Sequence, residues 1–201
     1  LVAVSKTQPA DALRVLAQAG QVAFGENYLQ EALTKQAALG DLPLQWHFIG
    51  PIQSNKTRDI AARFDWVHSV ERLKIAQRLN DQRPAEAPPL SVCVQVNVSR
   101  EASKSGCAPG ELAALAAAIA ELPRLRLRGL MAIPAPIAQS ADPAQPYRLL
   151  REAFEALRAL GLPVDTLSMG MSDDFELAIT HGATHVRVGS ALFGPRPSNP
   201  L

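Results

Sequence analysis

Strand-like and helical segments alternate along the whole chain, and this alternation constrains the fold more than any other feature. Apolar runs typical of strands occur at 1–5, 21–24, 45–49, 66–69, 90–98, 127–132, 166–169 and 184–188. Helical patterns occur near 10–19, 26–39, 54–63, 71–82, 109–121, 145–160, 173–180 and 190–193. Several strands are apolar on both faces, which is typical of parallel strands covered by helices. The pattern predicts an α/β fold, a (β/α)8 TIM barrel in one domain over 1–201, with a doubly wound open sheet as the alternative.

Composition excludes several classes of function. The 201 residues carry a net charge of +1, which argues against a nucleic-acid partner. The arginines at 124, 126 and 128 alternate with leucines and indicate a solvated strand entrance. No apolar stretch is long enough to span a bilayer. The two cysteines have neither disulfide nor metal-ligand spacing, so we expect a cytoplasmic protein without a metal. We also expect a monomer.

The start of the sequence and one internal stretch lead to two further expectations. The sequence starts at Leu1 within a strand pattern, so we expect a preceding segment to be missing. The Pro- and Ala-rich stretch 134–146 is long enough for a mobile flap.

Glycine and serine cluster after the last two predicted strands. "GMSDD" places Gly170 and Ser172 ahead of a helix, with Asp173 and Glu176 at capping-box spacing, and "VGSALFG" places Gly189 and Ser190 at another helix start. Loops at these positions of a barrel commonly bind phosphate. Two adjacent loops favour a phosphate site, although Ser172 alone could simply cap its helix.

Lys6 ends the first apolar run. The chain has five lysines, and the other four lie on predicted helices or in a polar loop. A desolvated, neutral amine can attack an aldehyde, whereas a lysine at a strand end can also simply reach solvent. A lysine facing a phosphate site predicts a phosphorylated aldehyde held as a Schiff base, and pyridoxal 5′-phosphate (PLP) fits this description.

Arg187 interrupts the apolar strand "THVRVG" directly before the second glycine-rich loop. An arginine only donates hydrogen bonds, so a pyridine nitrogen facing it would stay unprotonated and would be a weak electron sink. An ion pair with a neighbouring carboxylate is an equally good explanation of this arginine.

Six motifs together resemble the pyridoxal phosphate homeostasis protein family. They are "AVSKT", "FGENY", "WHFIGPIQSNK", "RGLMAIPAP", "LSMGMSDDFELAI" and "VRVGSALFG". The resemblance extends from Leu1 to about Gly194. It implies a barrel similar to the N-terminal domain of alanine racemase, the fold-type III class of PLP-binding proteins.

The resemblance also implies roles for individual residues. Lys6 would form the Schiff base, and Asn27 would lie beside the cofactor. Arg187 would face the pyridine nitrogen. The phosphate would contact Ser172, Gly189 and Ser190, with Met171 contributing backbone. Glu101, Ser103 and Lys104 match the family pattern in a loop that either influences cofactor release or is an ordinary surface loop.

The family and the residues favour a carrier over an enzyme. We expect a protein that holds PLP on Lys6 and buffers or delivers it with little turnover, with PLP-dependent apoenzymes as candidate recipients. The alternative is a racemase-like enzyme, which needs a base on each face of the substrate. Only Tyr28 and Tyr147 are available as a tyrosine base, and no second domain would position them. A cofactor-free Schiff-base aldolase is a third candidate.

Overall fold

The computed structural model describes residues 1–99 and 105–194. Eight strands form one sheet: β1 (Val2–Val4), β2 (Ala23–Glu26), β3 (Gln45–Phe48), β4 (Trp66–Val70), β5 (Leu90–Gln95), β6 (Leu125–Met131), β7 (Thr166–Ser168) and β8 (Arg187–Val188). The α-helices are α1 (Ala10–Gln18), α2 (Leu29–Ala38), α3 (Thr57–Arg63), α4 (Leu73–Gln82), α5 (Leu112–Ala120), α6 (Gln145–Ala159), α7 (Phe175–Thr180) and α8 (Ser190–Phe193). Short 3₁₀ helices span Ser54–Lys56, Pro109–Glu111 and Ile137–Gln139.

The sheet curls into a nearly closed parallel barrel. The strand order is β7-β6-β5-β4-β3-β2-β1-β8, and the strand pairs are parallel. Between β7 and β8 a single parallel bridge joins Ser168 to His185. The predicted (β/α)8 barrel is therefore confirmed, and the open sheet is excluded.

Strand residues alternate between two separate cores, as expected for a barrel. One large cluster, which includes Phe48, packs the sheet against the helices. A second, smaller cluster consists of Trp66, Cys93 and Met131. The His47 ring stacks on Trp66 with 5.4 Å between ring centroids. The barrel interior is thus filled by aromatic and polar side chains as well as aliphatic ones.

The arginines at the start of β6 differ partly from the prediction. The Arg128 guanidinium forms a 2.8 Å ion pair with Asp165 and lies 4.6 Å from the Trp66 ring centroid. Arg124 donates to the backbone oxygen of Arg83. Arg128 therefore covers the Trp66 ring, whereas Arg124 is exposed, as the sequence predicted.

Several predicted boundaries were wrong by two or three residues, among them the end of β5 and the starts of β8 and α4. Strand β6 begins at Leu125 rather than 127 because Leu125 already pairs with Leu90 of β5. Helix α2 begins at Leu29 rather than 26 because Glu26 continues β2 and pairs with Phe48. Helix α7 begins at Phe175 rather than 173.

Candidate functional site

A cavity of about 350 Å³ opens at the carboxyl ends of the strands. Its wall contains all seven residues that the sequence singled out: Lys6, Asn27, Met171, Ser172, Arg187, Gly189 and Ser190. Val4, Gln8, Ile49, Ile133, Asp173 and Gly194 complete the lining. The volume is in the range of small-molecule sites, and the lining combines apolar walls with a few convergent polar groups. The sequence therefore identified residues from four different loops and strands that meet at one cavity.

Lys6 lies two residues beyond β1, and its side chain is half-buried. Among the lysines that the structure describes, Lys35 of α2 is the deeply buried one, with an exposed fraction of 4%. Its Nζ donates to the backbone oxygen of Ser5 at 2.6 Å and to Glu26 Oε1 at 2.7 Å. This contact fixes the backbone immediately before Lys6.

The backbone after Lys6 is also held by α2. Thr7 has a φ of 65°, a left-handed conformation that a β-branched residue adopts only under constraint. Its N–H donates to Glu31 Oε1 at 2.5 Å, and the same oxygen accepts from Lys35 at 2.5 Å. We call Ser5, Glu26, Glu31 and Lys35 the brace; it anchors the residues on both sides of Lys6.

Burial raises the pKa of Glu26 within the brace, and the hydrogen bonds from Lys35 and Ser5 oppose that rise. Glu26 Oε1 accepts from both Lys35 and the Ser5 hydroxyl, whereas its Oε2 is buried without a hydrogen-bond partner. A buried carboxylate in this setting depends strongly on the neighbouring ammonium group.

Asn27 follows directly after β2. Its backbone lies so close to Gly50 that a Cβ on Gly50 would be 2.4 Å from the Asn27 carbonyl oxygen. The side-chain oxygen of Asn27 is buried and has no hydrogen-bond partner. A polar atom of this kind at a cavity wall is a candidate ligand contact.

The two glycine-rich loops are joined by Ser172. Its Oγ accepts hydrogen bonds from the backbone N–H of Gly189 at 3.2 Å and of Ala191 at 3.4 Å. Ser172 therefore does not cap α7, and the predicted capping box at Asp173 and Glu176 is wrong. Asp174 occupies the N-cap position instead.

Asp174 organises the first of these loops. One carboxylate oxygen accepts from the Met171 N–H, and the other accepts from the Tyr147 hydroxyl at 2.5 Å. Gly170 has a φ of 93°, and a Cβ there would lie 2.6 Å from the Ala178 side chain, so only glycine fits. Burial and the Asp174 carboxylate raise the pKa of Tyr147, which keeps its proton on the hydroxyl.

Arg187 is 3% exposed yet lines the cavity. It donates to Ser168 Oγ at 2.8 Å and to the backbone oxygen of Ala132 at 3.0 Å. Burial lowers its pKa to about 10, so the guanidinium is still charged at neutral pH. The ion pair considered from the sequence does not occur among the described residues; neutral oxygens hold this arginine.

Some site residues were missed by sequence reasoning. Ser168 contacts Arg187, Tyr147 supports the β7–α7 loop through Asp174, and Lys35 supports the backbone at Lys6. Of these three residues only Ser168 lies in a quoted motif, and it was not singled out there. His47 and His68 are buried and hydrogen-bonded to each other at 2.8 Å. In contrast, Glu101, Ser103 and Lys104 lie outside the described residues.

Two negative findings apply to residues 1–99 and 105–194. No group of three or more His, Cys, Asp or Glu side chains could hold a metal ion there. In that part of the chain no helix has the length and apolar character required to cross a membrane.

Comparison with known proteins first defines the class. The family described as alanine racemase, N-terminal domain, matches residues 1–197. Alanine racemase from Corynebacterium glutamicum superposes with a TM-score of 0.75 at 20% identity, covering 100% of this chain and 57% of that chain, and thus shares its fold. The class is therefore that of barrels of the alanine racemase N-terminal type.

Closer relatives define the family within that class. The pyridoxal phosphate homeostasis protein of Pseudomonas aeruginosa is 67% identical over 196 residues, covering 98% of this chain and 84% of that protein. The protein of the same name from Escherichia coli K12 is 56% identical over 199 residues, covering 98% and 85%. This chain belongs to the pyridoxal phosphate homeostasis protein family.

A solved relative supports the same assignment. PipY of Synechococcus elongatus PCC7942, in its structure with PLP bound, superposes with a TM-score of 0.87 at 41% identity. The match covers 96% of this chain and 91% of that chain. The structure of PipY without PLP gives a TM-score of 0.89 at 42% identity with the same coverage.

Proposed function

We propose that this chain is a carrier that holds PLP as a Schiff base on Lys6 and buffers or delivers it with little or no turnover. The observation that carries the proposal is the convergence of Lys6, Arg187 and Ser172 on one cavity of about 350 Å³. The names of its relatives, and the PLP-bound PipY structure, support the same cofactor. The proposal includes a monomeric, cytoplasmic protein and PLP-dependent apoenzymes as recipients.

The residues of the cavity fit the chemical groups of PLP. PLP supplies an aldehyde that condenses reversibly with a primary amine and releases water. Lys6 offers that amine. The Ser172 hydroxyl, beside the loop at Gly189 and Ser190, offers a hydrogen bond suited to a phosphate, and Arg187 offers a donor suited to a pyridine nitrogen. Asn27 brings a buried side-chain oxygen without a partner to the same wall.

The positions of the two tyrosines support a carrier rather than a racemase. Racemisation needs a base on each face of the substrate. Tyr147 is 1% exposed and donates to Asp174, so it supports the loop instead of facing the cavity. Tyr28 is 58% exposed and does not line the cavity.

Titration of the purified protein with PLP, followed by absorbance, tests the proposal. We expect one equivalent to bind with the spectrum of an imine, and Lys6→Ala to lose that band. Lys74→Ala, which removes an exposed lysine of α4, is the matched control. An unchanged band in Lys6→Ala, or robust racemisation of alanine by the wild-type protein, would contradict the proposal.

A further inference from the structure

The interior of the barrel contains a continuous column of polar side chains that ends at the cavity. Arg187 contacts Ser168 Oγ at 2.8 Å, and this oxygen is 2.7 Å from His68 Nδ1. His68 Nε2 is 2.8 Å from His47 Nδ1, and His47 Nε2 is 3.0 Å from Gln45 Oε1. We call these five residues the polar column; Gln45 is exposed and the other four are buried.

The donors and acceptors of the polar column fix its direction. Arg187 can only donate, so Ser168 Oγ accepts a hydrogen bond from it. The Ser168 hydroxyl can in turn donate a hydrogen bond to His68 Nδ1. His68 then carries its proton on Nε2 and donates to His47 Nδ1. His47 in turn donates from Nε2 to Gln45 Oε1. With both histidines neutral and protonated on Nε2, every contact in the column pairs one donor with one acceptor.

The surroundings keep both histidines neutral. Burial lowers the pKa of His47 to about 3, and the neighbouring His185 adds to the effect. Burial also lowers the pKa of His68 well below its ordinary value, with further contributions from His47, Arg187 and His185. A positive His68 would lie one residue away from the Arg187 charge along the column, which electrostatic repulsion opposes.

The column determines what Arg187 presents to the cavity. One of its terminal nitrogens donates to Ser168 and the other to the backbone oxygen of Ala132. Both acceptors are neutral, and no carboxylate of residues 1–99 or 105–194 forms an ion pair with the guanidinium. A planar guanidinium held at two of its nitrogens has a fixed orientation.

We propose that Ser168 and His68 are positioning residues that orient Arg187 as a cationic, donor-only contact for the ring nitrogen of bound PLP. This inference rests on the proposed function. An unprotonated ring is a weak electron sink, so the column would favour storage of PLP over carbanion chemistry on it. Neither residue lines the cavity, so both act through Arg187.

The first test uses the PLP-free protein with ¹⁵N-labelled histidine. Long-range ¹H–¹⁵N NMR distinguishes the two neutral tautomers and the charged form of each ring. We expect His47 and His68 to carry their proton on Nε2 and to show no charge change between about pH 5 and 8. Protonation of His68 on Nδ1, or its titration in that range, would contradict the order of donors and acceptors proposed for the polar column.

The second test measures the PLP-bound protein. In Ser168→Ala we expect a PLP dissociation constant about tenfold higher and a changed ¹⁵N shift of the labelled PLP ring nitrogen. Both follow because Arg187 loses the hydrogen bond that fixes its orientation. Ser168→Thr, which retains the hydroxyl, should restore both values towards the wild type. His68→Gln provides a second variant in case Ser168→Ala does not fold.

Ser91→Ala is the control because Ser91 is a buried serine of β5 outside the column. Wild-type affinity and ring-nitrogen shift in both Ser168→Ala and His68→Gln would overturn the proposal. Failure of the wild-type protein to bind PLP would instead contradict the proposed function, while the histidine tautomers would still decide whether the column exists.

Discussion

Lys35 shows how a single buried side chain can control a site that it does not line. Its ammonium contacts the Ser5 backbone, Glu26 and Glu31, and so connects α2 to the strand end that carries Lys6. The side chains of Lys35 and Glu26 are 5% and 0% exposed. An ion pair this deep costs much desolvation energy, and removal of one partner leaves the other charge uncompensated.

We therefore predict that Lys35→Met destabilises the protein by about 3–5 kcal/mol, because Glu26 loses its cation in a buried position. The double variant Lys35→Met with Glu26→Gln should recover a large part of that loss. Urea unfolding of the two single variants and the double variant gives the coupling energy. Equal stability of Lys35→Met and the wild type would contradict the role of the brace.

At this scale the sequence predicted the cavity residues but not their supports. Lys6 and Arg187 were identifiable because they follow or interrupt apolar strands at one end of the barrel, whereas Asn27 was implied by the family resemblance. Lys35 was not, because a lysine in an amphipathic helix usually faces solvent. Its burial depends on the distance between α2 and β1, which no local pattern encodes.

Among the structural elements, the loop between β7 and α7 depends on α6 for its shape. The Tyr147 hydroxyl of α6 reaches Asp174, whose other oxygen accepts from the Met171 backbone. Ser172, in the same loop, contacts the loop before α8. The two loops proposed to hold the phosphate are thus supported from outside the barrel mouth.

We predict that Tyr147→Phe weakens PLP binding several-fold and lowers the free energy of unfolding by about 1–2 kcal/mol, because Asp174 loses a buried donor. Fluorescence titration with PLP and urea unfolding measure the two effects. Tyr28→Phe, at an exposed tyrosine, is the control and should change neither quantity. Wild-type affinity in Tyr147→Phe would show that the loop does not need this support.

The helices and strands were predictable to within a few residues, because the spacing at which apolar residues recur distinguishes a strand from a helix. The errors occurred where two patterns overlap. Glu26 resembles the start of α2, yet its backbone still pairs with β3. The segment at Asp173 resembles a helix start, whereas the hydrogen bonds of Asp174 delay the helix to Phe175.

The whole molecule has an inner core that is sensitive to acid. His47 and His68 are fully buried inside the barrel, and burial lowers the pKa of both. For His47 the folded value is about 3, far below that of an exposed histidine. Between these two values the unfolded chain binds a proton that the folded chain does not bind, so stability falls as the pH is lowered.

We predict that the free energy of unfolding decreases from neutral pH towards about pH 4, and that His47→Gln reduces the slope by about 1 kcal/mol per pH unit. Urea unfolding at a series of pH values measures both slopes. His181→Gln, which removes a histidine outside the barrel, is the matched control. Equal slopes in the wild type and His47→Gln would contradict this account of the interior.

The barrel as a whole was predictable because eight successive units of one strand and one helix favour closure of the sheet into a barrel. The polar column was not, because its contacts join residues far apart in the chain; His68 and Ser168 are separated by 100 positions. Alternation places both side chains in the interior, but only the stagger of the strands brings them within hydrogen-bond distance.

The most direct test of the proposed function is the site of covalent attachment. The PLP complex is reduced with borohydride, digested, and analysed by mass spectrometry of its peptides. We predict that the pyridoxyl label lies on Lys6. A label on Lys35 or another lysine, or the absence of any label, would contradict the account.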